Sequence, residues 1–162
     1  MREGRMSRRL KKVGLAVVVV FVVVLAAAQL VRPERTNPKI DFARTFQAQN
    51  SASSGLVAVV DRSCGDCHSN ATVWERYTNI APLSWVITRG VTEGRKALNF
   101  SEWAGYAPEK QQELITASCR DASNGTMPMS VYLMIRPEAR LSAQDVETIC
   151  AASRMGKQSA AR

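Results

Sequence analysis

Cys64-Gly65-Asp66-Cys67-His68 is the segment whose residue types and spacing point most directly to chemistry. Two thiols three residues apart fit one helical turn, from which both can reach the vinyl groups along one porphyrin edge and form thioethers. The imidazole of the next residue then points under the ring, where it can ligate iron. His68 is the only histidine in the chain, so no other residue can supply that imidazole. Two other chemistries use the same residues. Cys64, Cys67, Cys119 and Cys150, or three of them with His68, could form a four-ligand zinc site. Against this, Cys119 and Cys150 do not make the second close pair that a zinc knuckle usually brings. A thiol redox pair is the remaining reading, and it would want a βαβ setting that is absent here.

The opposite face of the iron decides between carrier and reactor. A second strong ligand makes an electron carrier, whereas an open position makes an enzyme or a gas sensor. Gly125-Thr126-Met127-Pro128 offers a thioether at Met127, and Pro128 would stiffen the segment that carries it across the ring. Thioether ligation favours Fe(II) and raises the potential. Met129 and Met134 are nearby rivals, and all three side chains could instead fill gaps in a core.

The elements that must position these groups read as helices. Leu56 to Arg62 is an apolar run leading straight into the Cys64 motif. Pro82 suits a first helical turn, with Leu83, Val86 and Ile87 at helical spacing and an end expected near Gly94. Pro108-Glu109 opens a second helix, in which Leu114, Ile115, Ser118 and Cys119 share a narrow face. Leu141-Ser142-Ala143-Gln144-Asp145 reads as an N-cap with an acid three residues on, and Val146, Ile149 and Cys150 follow on one face. The expectation is an all-α domain of short helices with long connections. So few short helices leave little continuous core, and a large apolar ligand such as haem at the centre would supply the missing surface. Cys119 and Cys150, each on an apolar helix face, are expected to pair if the compartment is oxidising.

The N-terminus speaks to that compartment. Met1 to Lys12 carries Arg2, Arg5, Arg8, Arg9, Lys11 and Lys12 against Glu3 alone, and Val13 to Val31 has no ionisable group. Nineteen residues in a helix rise about 28 Å, close to a hydrocarbon core of about 30 Å. The basic flank should stay in the cytoplasm, which places everything after Val31 outside it. Ala26-Ala27-Ala28 also resembles a signal-peptidase site, and cleavage there would export the same domain. The organisation expected is therefore a basic tail (1–12), a transmembrane anchor or signal h-region (13–31), a linker or arm (32–54), a haem-binding domain (55–155) and a disordered tail (156–162). The net charge of +8 belongs to the flanks. Between Ile40 and Ala152 ten Lys and Arg face twelve Asp and Glu, a balance of −2, which argues against a nucleic-acid partner.

Two resemblances add to this reading. Met127-Pro128 followed by Leu141-Ser142-x-x-Asp145-Val146 and a terminal helix resembles the second half of class I cytochromes c. More specifically, the chain resembles a family of small bacterial haem-binding-domain proteins. That likeness runs through Cys64 to Asn70, Trp74, Tyr77, Asn79 to Trp85, Gly94-Arg95, Leu98 to Trp103, Met127-Pro128, Tyr132 and Ala139 to Ser142. It implies a cytochrome c-like bundle around one covalent haem c, anchored or exported. Many members of that family carry a His near Ile135-Arg136-Pro137; this chain has Arg136, so no His ligand comes from there. The class I likeness implies a Pro carbonyl as acceptor for the second nitrogen of His68, a part Pro82 can play. Trp85 or Trp103 could donate to a haem propionate and Arg95 could neutralise one, although core packing or a solvated face would also account for them. The function expected is single-electron transfer by a mono-haem c-type cytochrome at the outer face of a bacterial cytoplasmic membrane. Its partners would be redox proteins, and no catalytic group is expected. An open sixth iron site, serving a sensor or a peroxidase-like enzyme, is the alternative.

Overall fold

Helices are the regular structure of the described residues. The structure, a computed structural model, describes residues 3–160, with side chains described from 9 to 155; none of the described residues lies in a strand. The chain divides into two compact units, one formed by the residues up to Arg35 with 74–89, the other by 36–73 with 90–162.

The first unit is built on α1 (Glu3–Ala28). Its stretch Arg9–Ala28 is long and apolar enough to cross a membrane, and none of it is buried inside the protein. The helix ends at Ala28, three residues before the end expected from hydropathy. Gln29 explains the stop: its amide nitrogen donates to Leu25 O (3.0 Å) and Ala81 O (3.2 Å), and its amide oxygen accepts from Ala81 N (3.0 Å). Beyond it, Trp85 Nε1 donates to Val31 O (2.8 Å) and Arg35 Nη1 to Thr78 Oγ1 (3.2 Å). Pro82 leads into α5 (Leu83–Ala97), and its carbonyl accepts from Trp85 N within the first turn.

In the second unit lie α2 (Phe46–Gln49), α3 (Ser54–Ser63), α4 (Gly65–His68), the end of α5, α6 (Pro108–Ser123), α7 (Ser130–Leu133) and α8 (Ala143–Ala160). Leu56, Val59, Val60 and Ser63 fall on one face of α3 at helical spacing, and all four are buried. Leu56, Val59 and Val60 meet Leu98, Phe100, Trp103, Leu114, Ile115 and Ile149 in one core. Phe46 joins that core almost fully buried, with ring centroids 5.1 Å from Phe100 and 4.9 Å from Trp103. The second half of the segment read as linker or arm is thus an arm, and the globular unit begins well before residue 55.

α6 and α8 pack side by side, joined by the Cys119–Cys150 disulfide, with Gln112 Nε2 donating to Ser153 O (2.8 Å). A capping box starts α8: Asp145 Oδ2 accepts from Ser142 N (2.8 Å), and Asp145 N donates to Ser142 Oγ (3.1 Å). Two sequence expectations shift. α8 runs to Ala160, into the tail expected over 156–162, and 161–162 lie outside the described residues. α5 continues past Gly94 to Ala97, because that glycine does not end the helix but lets it lie against the backbone of Cys67.

Candidate functional site

The Cys64 motif forms where α3 runs out. Cys64 N still donates to Val60 O (2.9 Å), and Cys64 O then accepts from Cys67 N (3.2 Å) and His68 N (3.0 Å). That single turn, α4, brings Cys64, Cys67 and His68 onto the wall of one cavity of about 380 Å³. Such a volume is within the range of cofactor sites. Gly90, Gly94 and Ala97 of α5 form one side, and Leu114, Ala117 and Ala122 of α6 another. These small and aliphatic residues leave room for a broad, apolar, flat group.

His68 is oriented from behind. Its Nδ1 lies 3.1 Å from Leu98 O, and since a carbonyl can only accept, Nδ1 carries the hydrogen and Nε2 keeps its lone pair. Burial lowers the pKa of His68, outweighing the carbonyl contact, so the neutral ligating form is favoured. Leu98 is itself held in place by a polar mesh. Asn99 Nδ2 donates to Asn70 Oδ1 (2.8 Å), Asn70 N to Ser101 Oγ (2.9 Å) and Asn99 N to the Tyr106 hydroxyl (3.0 Å). The acceptor for His68 is therefore Leu98, not Pro82, whose carbonyl is engaged at the start of α5. A backbone carbonyl carries no residue-type signal, so sequence could not single out Leu98.

Two thiols face the cavity unpaired. Burial pushes Cys64 up to about 12, with the neighbouring Cys67 adding to it, and pushes Cys67 to about 11, with Asp66 adding. A reactive C-x-x-C pair needs the opposite, a lowered thiol pKa, so the thiol-exchange reading loses its support. The four-ligand zinc reading fails as well, because Cys119 and Cys150 are bonded to each other.

Met127, 41% exposed, and Met129 both border the cavity, whereas Met134, 82% exposed, does not. Their loop is shaped at the end of α6. Gly125 takes a positive φ of 67°, and Asp121 O accepts from Thr126 N (3.0 Å) and Met127 N (3.2 Å). Tyr132 also borders the cavity, and its hydroxyl donates to Asp66 Oδ2 (2.7 Å). Burial and the nearby carboxylate hold the Tyr132 hydroxyl protonated well above the usual phenol range.

Three expected cofactor contacts are occupied elsewhere. The indole N–H of Trp85 is engaged by Val31 O. Trp103 is 4% exposed among Phe46, Phe100 and Tyr106 and does not border the cavity. Arg95 spreads its guanidinium over Ser69 O, Thr36 O, Asn37 Oδ1 and Thr72 Oγ1 at 2.7–2.9 Å, pinning the arm and the loop after His68 instead of facing the cavity.

Apolar walls, an oriented imidazole and two thiols fit a haem, and Ser63 Oγ, buried on the same wall, has no hydrogen-bond partner among the described residues. The comparison with protein families agrees: a family model described as a haem-binding domain matches residues 23–153. Searches among curated proteins and solved structures found no match.

Proposed function

The chain belongs to the haem-binding domain family, and from that premise we propose that it is a mono-haem c-type cytochrome passing single electrons outside a membrane. In this reading Cys64 and Cys67 would hold the porphyrin by thioethers, and His68 Nε2 and the Met127 sulfur would ligate the iron. When bound, the haem supplies a one-electron Fe(III)/Fe(II) couple. The observation that carries the proposal is the shared cavity: Cys64, Cys67, His68 and Met127 all border it although Met127 lies 59 residues beyond His68.

The protein's own groups have separate tasks. Leu98 O fixes the tautomer and plane of the imidazole. The aliphatic walls would keep water from a bound haem, and Phe100, whose ring centroid lies 6.5 Å from that of His68, stands edge-on to the imidazole. The apolar helix Arg9–Ala28 is the proposed anchor, keeping the domain at the outer face of a bacterial cytoplasmic membrane beside local redox proteins. No acid–base pair is assigned a part in this account.

Intact-mass analysis of the exported protein tests the attachment: one haem mass added to the chain is expected, and none in Cys64→Ser/Cys67→Ser. A potentiometric titration should give a reversible one-electron wave, with no carbon monoxide bound by the reduced form. Ready binding of carbon monoxide would favour an open sixth site, and with it a sensor or a peroxidase-like enzyme.

A further inference from the structure

The C-x-x-C-H spacing leaves its two middle residues free, yet Asp66 is fully engaged here. Its Oδ1 accepts from Val73 N (3.1 Å), and its Oδ2 accepts from the Tyr132 hydroxyl (2.7 Å) across 66 residues of sequence. Arg136 Nη2 stands 3.8 Å from the same Oδ2. Asp66 is largely buried, with 17% of its side chain exposed. An ordinary solvated acid would not be held by a turn amide, a phenol and a guanidinium together.

Tyr132 is the informative partner. It sits in α7, and its backbone N–H donates to Met129 O (3.0 Å), one turn behind it. The other end of the same loop is tied to Asp121 O through Thr126 and Met127. Met127 and Met129 therefore occupy a short bridge with one footing on α6 and the other, through Tyr132, on the haem-attachment turn. We infer that the Tyr132–Asp66 hydrogen bond is a latch that holds the methionine loop over the cavity and so keeps the sixth position of the iron closed. This inference rests on the electron-carrier reading and adds Tyr132 and Asp66 to it as positioning residues. Asp66 makes the coupling economical, because the turn that fixes the proximal histidine also anchors the loop bearing the distal ligand.

The test uses the full-length haem-loaded protein. Tyr132→Phe keeps the ring in the cavity wall and removes only the hydroxyl. The weak far-red band of thioether-ligated Fe(III) should fade in this variant. Carbon monoxide should bind its ferrous form about 10- to 100-fold faster than wild type, the worth of one hydrogen bond to a charged acceptor in an open–closed equilibrium. Asp66→Asn, which keeps an oxygen able to accept, should fall between the two. Ile115→Val serves as the control for general loosening, since Ile115 is buried in the core and does not border the cavity. The latch is overturned if Tyr132→Phe keeps both the band and the wild-type carbon monoxide rate, or if Ile115→Val changes them equally. A wild-type protein that already lacks the band and takes carbon monoxide readily would refute Met ligation itself, and the latch with it.

Discussion

Gly94→Ala probes the contact between α5 and the Cys64–His68 turn. A Cβ on Gly94 would lie 2.5 Å from Cys67 O, 3.1 Å from Cys67 C and 3.3 Å from Cys67 Cβ. Restoring an ordinary separation of about 3.4 Å from the carbonyl oxygen requires a shift of roughly 0.9 Å, and both partners are backbone in packed elements. Overpacking of this kind costs about 1–3 kcal/mol. Alanine returns about 0.5–1 kcal/mol of helix propensity. The net expectation is a loss of up to about 2.5 kcal/mol, or a fall of up to about 10 °C in Tm. Gly55→Ala, in α3, is the control. Its Cβ would meet nothing within 4 Å and Gly55 does not border the cavity, so the propensity gain of about 0.5–1 kcal/mol should survive. The two variants should move in opposite directions in thermal unfolding of the haem-loaded protein. Gly94→Ala should also carry less haem per chain in a pyridine haemochrome assay, because the shift falls on Cys67. Equal stability and equal haem content in the two variants would refute the close-approach argument.

Two further outcomes follow from the frame around the site. Replacing both Cys119 and Cys150 by Ser should lower stability by about 3–4 kcal/mol in a denaturant titration, from the 31-residue separation the bond closes, while haem remains attached because neither residue borders the cavity. Asp145→Asn should cost about 1 kcal/mol at neutral pH by weakening the α8 capping box. The Ser142 N–H and, more weakly, Arg62 hold the Asp145 carboxyl below its usual value. Its stabilisation is therefore fully present above the unfolded pKa of about 3.9 and disappears as pH falls through the depressed folded value. The difference between wild type and Asp145→Asn, followed by denaturant midpoints from pH 7 down to about 2, should close over that window.

What was legible in the sequence was local. The Cys64 motif, the Pro108 start of α6 and the Ser142–Asp145 cap each depend on residues within one or two turns of each other, and each stands where the pattern placed it. The Cys119–Cys150 bond followed from two apolar helix faces and a count of spare thiols. Long-range choices were not legible. The acceptor for His68 is a main-chain carbonyl 30 residues on, and any residue type could have supplied it. Trp85 and Arg95 have the right groups for a propionate, but their partners are backbone carbonyls and polar side chains brought near by the fold. Gly94 did leave a signal that was open to misreading. A glycine followed by Arg95-Lys96-Ala97, all able to continue a helix, marks a close approach better than an end. Phe46 was hidden in a polar arm, where Phe42 and Phe46 stand alone among Asn, Gln, Ser and Ala and nothing in the residue types says that only Phe46 is buried.

The most direct test of the account is the visible absorption spectrum of the haem-loaded protein, oxidised and then reduced, for wild type, Met127→Ala and Met129→Ala. Covalent haem ligated by His68 and Met127 predicts the weak far-red thioether band in oxidised wild type, its loss in Met127→Ala and its retention in Met129→Ala. A haem-loaded wild type without that band, or one whose band survives in Met127→Ala, would contradict it.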